Sequence, residues 1–169
     1  MHLPRDATSF LNVIEANKGI IYKVANAYCR DEENRKDLIQ EITIQLWQAF
    51  PKYDEQFRIS TWMYRIALNV SISFYRKESS REKRTEPLTH ELISLTADSR
   101  VPATDNELSL LHQFIRELKE FDRALILLYL EERSQQEIAE ILGLTPSNVS
   151  TKIGRIKEQL RQKFLTVNL

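Results

Sequence analysis

The segment ISTWMYRIALN, residues 59–69, carries the side chains with the most evident chemistry. At helical spacing Trp62, Arg65 and Asn69 form one stripe, which Arg58 and Arg76 extend at either end. An aromatic plane, cations and an amide in one row are groups that hold single-stranded nucleic acid, with bases stacked on rings and phosphates paired with basic side chains. Stacking contributes roughly 1–3 kcal/mol per base, on the scale needed to hold a base flipped out of a duplex. Tyr64 and Tyr75 lie nearby in sequence. The plain alternative is that Trp62 edges a core while the arginines are solvated, and the residues alone leave both open.

A second set lies in SQQEIAEILGLTPSNVSTKIGRIKEQL, residues 134–160. Ser134 and Glu137 have capping-box spacing ahead of Ile138, Ala139, Ile141 and Leu142. Gly143 falls where a helix ends in a left-handed residue, Thr145 can cap a second helix, and Pro146 suits its first position. Val149, Ile153, Ile156 and Leu160 then form an inner stripe. The pattern is a helix-turn-helix. Its outward face carries Ser147, Asn148, Thr151, Lys152 and Arg155, with no acid among them. These groups can donate to base edges and phosphates, as a helix in the major groove requires. A helical hairpin with a basic wet face is the alternative.

A third set, in DLIQEITIQLWQAFPKYD (residues 37–54), puts Leu38, Ile42, Leu46 and Phe50 on a core stripe. The opposite face holds Asp37, Gln40, Ile44 and Trp47, with Glu41 at its edge. An isoleucine and a tryptophan among polar groups suit a protein docking site, unless the N-terminal helix covers them.

The elements that must position these sets are helical. The 169 residues include three glycines and five prolines, 42% hydrophobic and 28% charged, which suits a folded, helix-rich protein. Helical patterning covers residues 8–30, 32–50 and 59–77, the last with Ile59, Met63, Ile66 and Val70 toward the core. It stops over 86–106, which holds prolines and Ser/Thr residues and reads as a linker, and resumes from 107. The expected fold is all-α, with a helical domain over 1–85, a flexible linker over 86–106 and a helix-turn-helix domain over 107–169. So small a C-terminal domain would lean on a partner.

Net charge is zero, but it is segregated. Residues 76–84 stand at +3 and 152–163 at +4, while 86–106 stands at −3. The single cysteine, Cys29, excludes an internal disulfide and reads as a small core residue. His2, His90 and His112 lack metal-ligand spacing, and no phosphate loop or nucleophile motif is present, so neither a metal, a cofactor nor a catalytic residue is expected. No apolar run reaches the ~18–20 residues of a membrane span, and the N-terminus lacks a signal-peptide core, which points to the cytoplasm.

Taken together, the three motifs resemble those of bacterial RNA polymerase sigma factors of the extracytoplasmic-function class, in that family's order and spacing, over most of residues 8–164. The resemblance implies that Asp37, Gln40, Glu41, Ile44 and Trp47 dock on the β′ clamp helices of core polymerase. It implies that Arg58, Trp62, Arg65, Asn69 and Arg76 melt and read the promoter −10 element. Lys77, Ser79, Ser80 and Arg81 would lie in a following loop that holds a flipped base. Ser147, Asn148, Thr151, Lys152 and Arg155 would read the −35 element, and the acidic linker would thread toward the RNA exit path. Core RNA polymerase, including its β flap, promoter DNA and an anti-sigma factor are the implied partners. The family often has a glycine and a small residue early in the recognition helix, where this chain has Ser147 and Asn148. Two rival readings are a free-standing helix-turn-helix regulator, which needs a dimer interface and a two-fold operator, and a helical adaptor without DNA contact, against which the acid-free face of 147–155 argues.

Overall fold

The structure, a computed structural model, describes residues 4–84 and 106–167, with backbone only at 82–84. Residues 86–105 of the expected linker lie outside this range. Among the described residues there are seven α-helices and no strand: α1 (Ala7–Tyr28), α2 (Glu32–Ala49), α3 (Ile59–Arg84), α4 (Asn106–Arg116), α5 (Glu120–Leu130), α6 (Gln135–Leu142) and α7 (Pro146–Val167).

Local chemistry explains where these helices start and stop. Asp6 caps α1 by accepting from the Ser9 amide at 2.8 Å, and Asp31 caps α2 by accepting from the Asn34 amide at 3.2 Å. Inside α1, Asn17 leaves helical geometry, and its Nδ2 donates to the Val13 carbonyl at 2.9 Å. A side-chain amide competing for that carbonyl is a recognised cause of a kink. Pro51 cannot continue α2, and the chain passes through a 3₁₀ turn, Phe50–Lys52.

Leu38, Ile42, Leu46 and Phe50 are fully buried, as the α2 periodicity predicts. The core face of α3 differs from expectation. Of Ile59, Met63, Ile66 and Val70, only Met63 is fully buried; the others are half-buried against the core. Thr61, Tyr64, Ala67, Leu68, Ser71 and Ile72 are inside instead. The reason is that α3 packs against α1, α2, α5 and α6 together, so its buried arc is wider and rotated. The second difference is length. The pattern predicts an end near residue 77, and the family resemblance implies a loop carrying Lys77, Ser79, Ser80 and Arg81, but the helix continues to Arg84. Apolar periodicity stops there, whereas helix propensity does not: RKESSREKR has no Gly or Pro, and Glu78 pairs with Arg81 one turn on at 3.7 Å.

The C-terminal helices follow the predicted caps. Ser134 and Glu137 form both halves of the capping box, at 3.1 and 3.4 Å. Gly143 is left-handed with φ 69°, and the Asn148 amide donates to Thr145 Oγ1 at 3.2 Å. A Cβ at Gly143 would meet nothing within 4 Å, so Gly143→Ala carries the backbone cost alone. That cost is about 1–2 kcal/mol, and the variant should melt roughly 2–8 °C below the parent in a calorimetric scan. An unchanged melting temperature would mean that the turn relaxes freely.

The two helical units are packed together. Their buried residues form one continuous cluster, from Phe10 in α1 to Leu160 in α7. At its seam lies Arg123 of α5, 2% exposed. Its guanidinium donates to the Ala27 carbonyl at 3.2 Å, to the Leu118 carbonyl at 3.3 Å and to the Arg116 carbonyl. Ala27 lies in the last turn of α1 and Arg116 ends α4, so one cation caps two helix C-termini whose carbonyls have no helical partner. The same group lies over the rings of Tyr75 and Tyr28, at 4.7 and 5.2 Å from their centroids.

Candidate nucleic-acid interface

The helix-turn-helix brings its predicted residues onto one accessible face. Val149, Ile153, Ile156 and Leu160 are buried and hold α7 in place. Ser147, Asn148, Thr151 and Arg155 are exposed on its outer side, and Lys152 is half-buried beside them. The Thr151 hydroxyl donates to the Ser147 carbonyl at 3.1 Å, which leaves its lone pairs free to accept. One neighbour was not visible in the local sequence. Asp122 of α5 reaches the Arg155 guanidinium at 3.2 Å, so the acid-free run of α7 has an acid beside it in space.

The α3 stripe is also assembled, but it is occupied. Trp62 is half-buried, with ring centroids of Tyr53 at 5.1 Å and Phe50 at 6.2 Å. The Arg65 guanidinium lies 4.9 Å over the Phe57 ring and donates to the Glu140 carbonyl of α6 at 2.6 Å. Arg58 pairs with Glu137 of α6 at 3.2 Å, and Arg76 with Glu120 of α5 at 2.6 Å. The Arg76 hydrogen bond holds the Glu120 carboxyl below its ordinary range. Asn69 is exposed, as are Lys77, Ser80 and Arg81, while Ser79 is half-buried; the last four stand on the helix, not on a loop.

On α2, Asp37, Gln40 and Glu41 are exposed together with Ile44 (41%) and Trp47 (45%). The N-terminal helix covers only part of this face: the Phe10 ring meets one edge of Trp47 at 5.0 Å.

Sequence reasoning missed the seam. Tyr28 donates its hydroxyl to the Glu120 carbonyl at 2.6 Å, Lys23 pairs with Glu131 at 2.6 Å, and Arg133 lies 5.1 Å over the Tyr64 ring. These partners are far apart in the chain, and no periodic pattern links them. Burial pushes the nearby Cys29 thiol up to about 11, which makes it a poor nucleophile at neutral pH. Among the described residues no cluster of His, Cys, Asp and Glu could hold a metal ion, and no helix is long and apolar enough to cross a membrane.

An α-helical unit that exposes Ile44 and Trp47 among polar side chains, packed on a helix-turn-helix with a polar and basic outer face, has the parts of a promoter-recognition subunit of bacterial RNA polymerase. The comparisons with known proteins agree. The family model for sigma-70 region 2 matches residues 13–81, and that for sigma-70 region 4 matches residues 108–160. The chain is 31% identical to the ECF RNA polymerase sigma factor SigW of Bacillus subtilis, over 94% of this chain and 90% of that protein. It is 26% identical to RNA polymerase sigma factor SigV of the same organism, over 88% and 86%. The fold is that of CnrH, solved in complex with the cytosolic domain of CnrY (TM-score 0.68, 20% identity, 95% of this chain and 90% of that chain). It is equally that of RpoE of Bartonella quintana, solved with the anti-sigma factor NepR (TM-score 0.63, 17% identity, 96% and 97%). The protein is thus a sigma factor, which directs promoter-specific transcription initiation. Within that class, the chain belongs to the extracytoplasmic-function sigma factors.

Proposed function

We propose that α2 docks on the β′ clamp helices of core polymerase through Asp37, Gln40, Glu41, Ile44 and Trp47, and that the C-terminal unit engages the β flap. In this reading α3 binds and helps melt the −10 element through Arg58, Trp62, Arg65, Asn69 and Arg76, with Lys77, Ser79, Ser80 and Arg81 on its extension. The N-terminal half of α7 reads the −35 element through Ser147, Asn148, Thr151, Lys152 and Arg155. The protein performs no catalytic step of its own; polymerase supplies the chemistry in the bacterial cytoplasm, and an anti-sigma factor holds the chain until it is needed. The observation that carries the reading is the outer face of α7, which is accessible, ends in a capped N-terminus and is fixed by four buried apolar side chains.

The experiment is co-purification with bacterial core RNA polymerase, followed by run-off transcription over fragmented genomic DNA. Stable binding with new promoter-specific transcripts supports the reading and delivers the promoter motif. Salt-sensitive footprints made by the protein alone, with no polymerase binding, would favour a free-standing regulator instead. On the recovered promoter, Asn148→Ala should alter base preference in the −35 element, at a cost of about 1–3 kcal/mol on the preferred base. Lys152→Ala should weaken all sequences alike and lower the salt dependence by about one phosphate contact. Base preference unmoved by Asn148→Ala would take that residue out of the reading set.

A further inference from the structure

Of the α7 residues proposed to read the −35 element, Arg155 is held by a side chain of another helix. Its Nη2 donates to both carboxylate oxygens of Asp122 on α5, at 3.2 and 3.4 Å. The pair runs through that one nitrogen, so the N–H groups of Nε and Nη1 remain for other acceptors. Lys152, one turn earlier on α7, has no ion-pair partner among the described residues.

The two ends of the pair are unequal. The Arg155 side chain is 60% exposed, whereas that of Asp122 is 15% exposed. An ion pair with both ends in water is weak and wanders. Here the acid stands on a fixed post. Next to it in the chain Arg123 is buried and bonded to three carbonyls, and Ala124 and Leu125 are fully buried, which holds the first turn of α5. Ile153 and Ile156 are buried on either side of Arg155 and hold the base of the arginine.

This arrangement separates two ways of binding DNA. A loose, fully charged arginine swings to the nearest phosphate and carries no sequence information. An arginine tied through one nitrogen presents its remaining donors in one orientation, which suits an acceptor on a base edge. The carboxylate also repels a phosphate that approaches the guanidinium, which disfavours a poorly matched duplex. We propose that Asp122 is a positioning residue for −35 recognition: it aims Arg155 at a base, withholds it from the backbone, and so sets how strictly one position of the −35 element is read. The inference rests on the placement of the −35 element against α7.

The test uses holoenzyme assembled from core polymerase and the full chain. The DNA is the promoter recovered by run-off transcription, together with copies carrying each single-base change in the −35 element and a constant −10 element. Binding is measured over a range of salt for the parent, Asp122→Asn, Asp122→Glu, Arg155→Ala and the Asp122→Asn/Arg155→Ala double variant. Arg155→Ala should lower discrimination at one position and thereby locate it. Asp122→Asn keeps the shape and removes the charge. It should bind promoters mismatched at that position about three- to tenfold more tightly, and steepen the salt dependence by about one phosphate contact. Asp122→Glu keeps a carboxylate and should restore much of the discrimination. In the Arg155→Ala background, Asp122→Asn should leave discrimination unchanged, which a merely structural role in α5 would not predict. Discrimination unmoved by Asp122→Asn in the parent, or a loss that persists without Arg155, would overturn the proposal. So would an Arg155→Ala variant that weakens every −35 sequence alike, since the arginine would then be a backbone contact. An Arg155→Ala variant with unchanged binding and unchanged base preference would instead bring down the placement of Arg155 against the −35 element, and the role of Asp122 with it.

Discussion

Arg123→Ala is expected to cost about 3–5 kcal/mol of stability, since breaking a buried charged hydrogen-bond set leaves several polar groups without partners. The carbonyls of Ala27, Arg116 and Leu118 would lose their donor at once. The first two belong to helix ends that Arg123 caps, so α1 and α4 would fray where they meet α5. The Tyr28 and Tyr75 rings would face a cavity in place of a cation. For a chain of this size the melting temperature should fall by roughly 6–20 °C. Arg123→Lys separates charge from shape. A lysine keeps the positive charge but lacks the planar fork that reaches carbonyls of two helices together, so it should recover only part of the loss. Calorimetry and urea titration of the three proteins decide the matter; a lysine variant as stable as the parent would mean that charge alone is what the seam uses.

Trp47→Ala is expected to weaken binding to core polymerase by about 30-fold or more, the effect of removing a tryptophan anchor worth at least ~2 kcal/mol. The ring is 45% exposed and stands one turn from Ile44 on a face otherwise made of Asp37, Gln40 and Glu41. Its aromatic neighbour is Phe10, so the fold should lose no more than about 0.5–1.5 kcal/mol from the missing edge contact. The two effects are separable. Affinity for polymerase is read by titration at a fixed temperature well below melting, and stability by the melting curve. Ile44→Ala should act in the same direction with a smaller loss. Polymerase affinity equal to the parent's would remove the α2 face from the docking assignment, even with the family membership intact.

Which features were legible from the residues follows a physical pattern. The helix-turn-helix could be read in detail because each signal is local. Ser134 and Glu137 close a box three residues apart, Gly143 supplies a left-handed turn, Thr145 and Pro146 restart the chain, and four apolar side chains repeat at helical spacing. The same holds for the buried stripe of α2 and the exposure of Ile44 and Trp47 opposite it. The face of α3 was misjudged because its burial is not local. A helix packed on one side shows a clean apolar stripe, but α3 packs on four others, and it takes Thr61 and Ser71 inward while Ile59, Ile66 and Val70 stay at the edge. Its extension to Arg84 was missed for the opposite reason: charged residues without an apolar period form helix by propensity and by pairs such as Glu78 with Arg81.

The sequence by itself determined the class of fold, the two helical units and the composition of the three faces, because periodicity and capping act within a few residues. Only the tertiary structure decided how the units meet. That meeting depends on Tyr28 with Glu120, Arg123 with Ala27, Arg58 with Glu137 and Arg76 with Glu120, pairs separated by 92, 96, 79 and 44 residues. An arginine on a helix looks the same in sequence whether it will face water, a phosphate or a carboxylate. Its partner is chosen by the packing of apolar surface elsewhere, which brings the two helices to one place and leaves the charges to pair where they arrive.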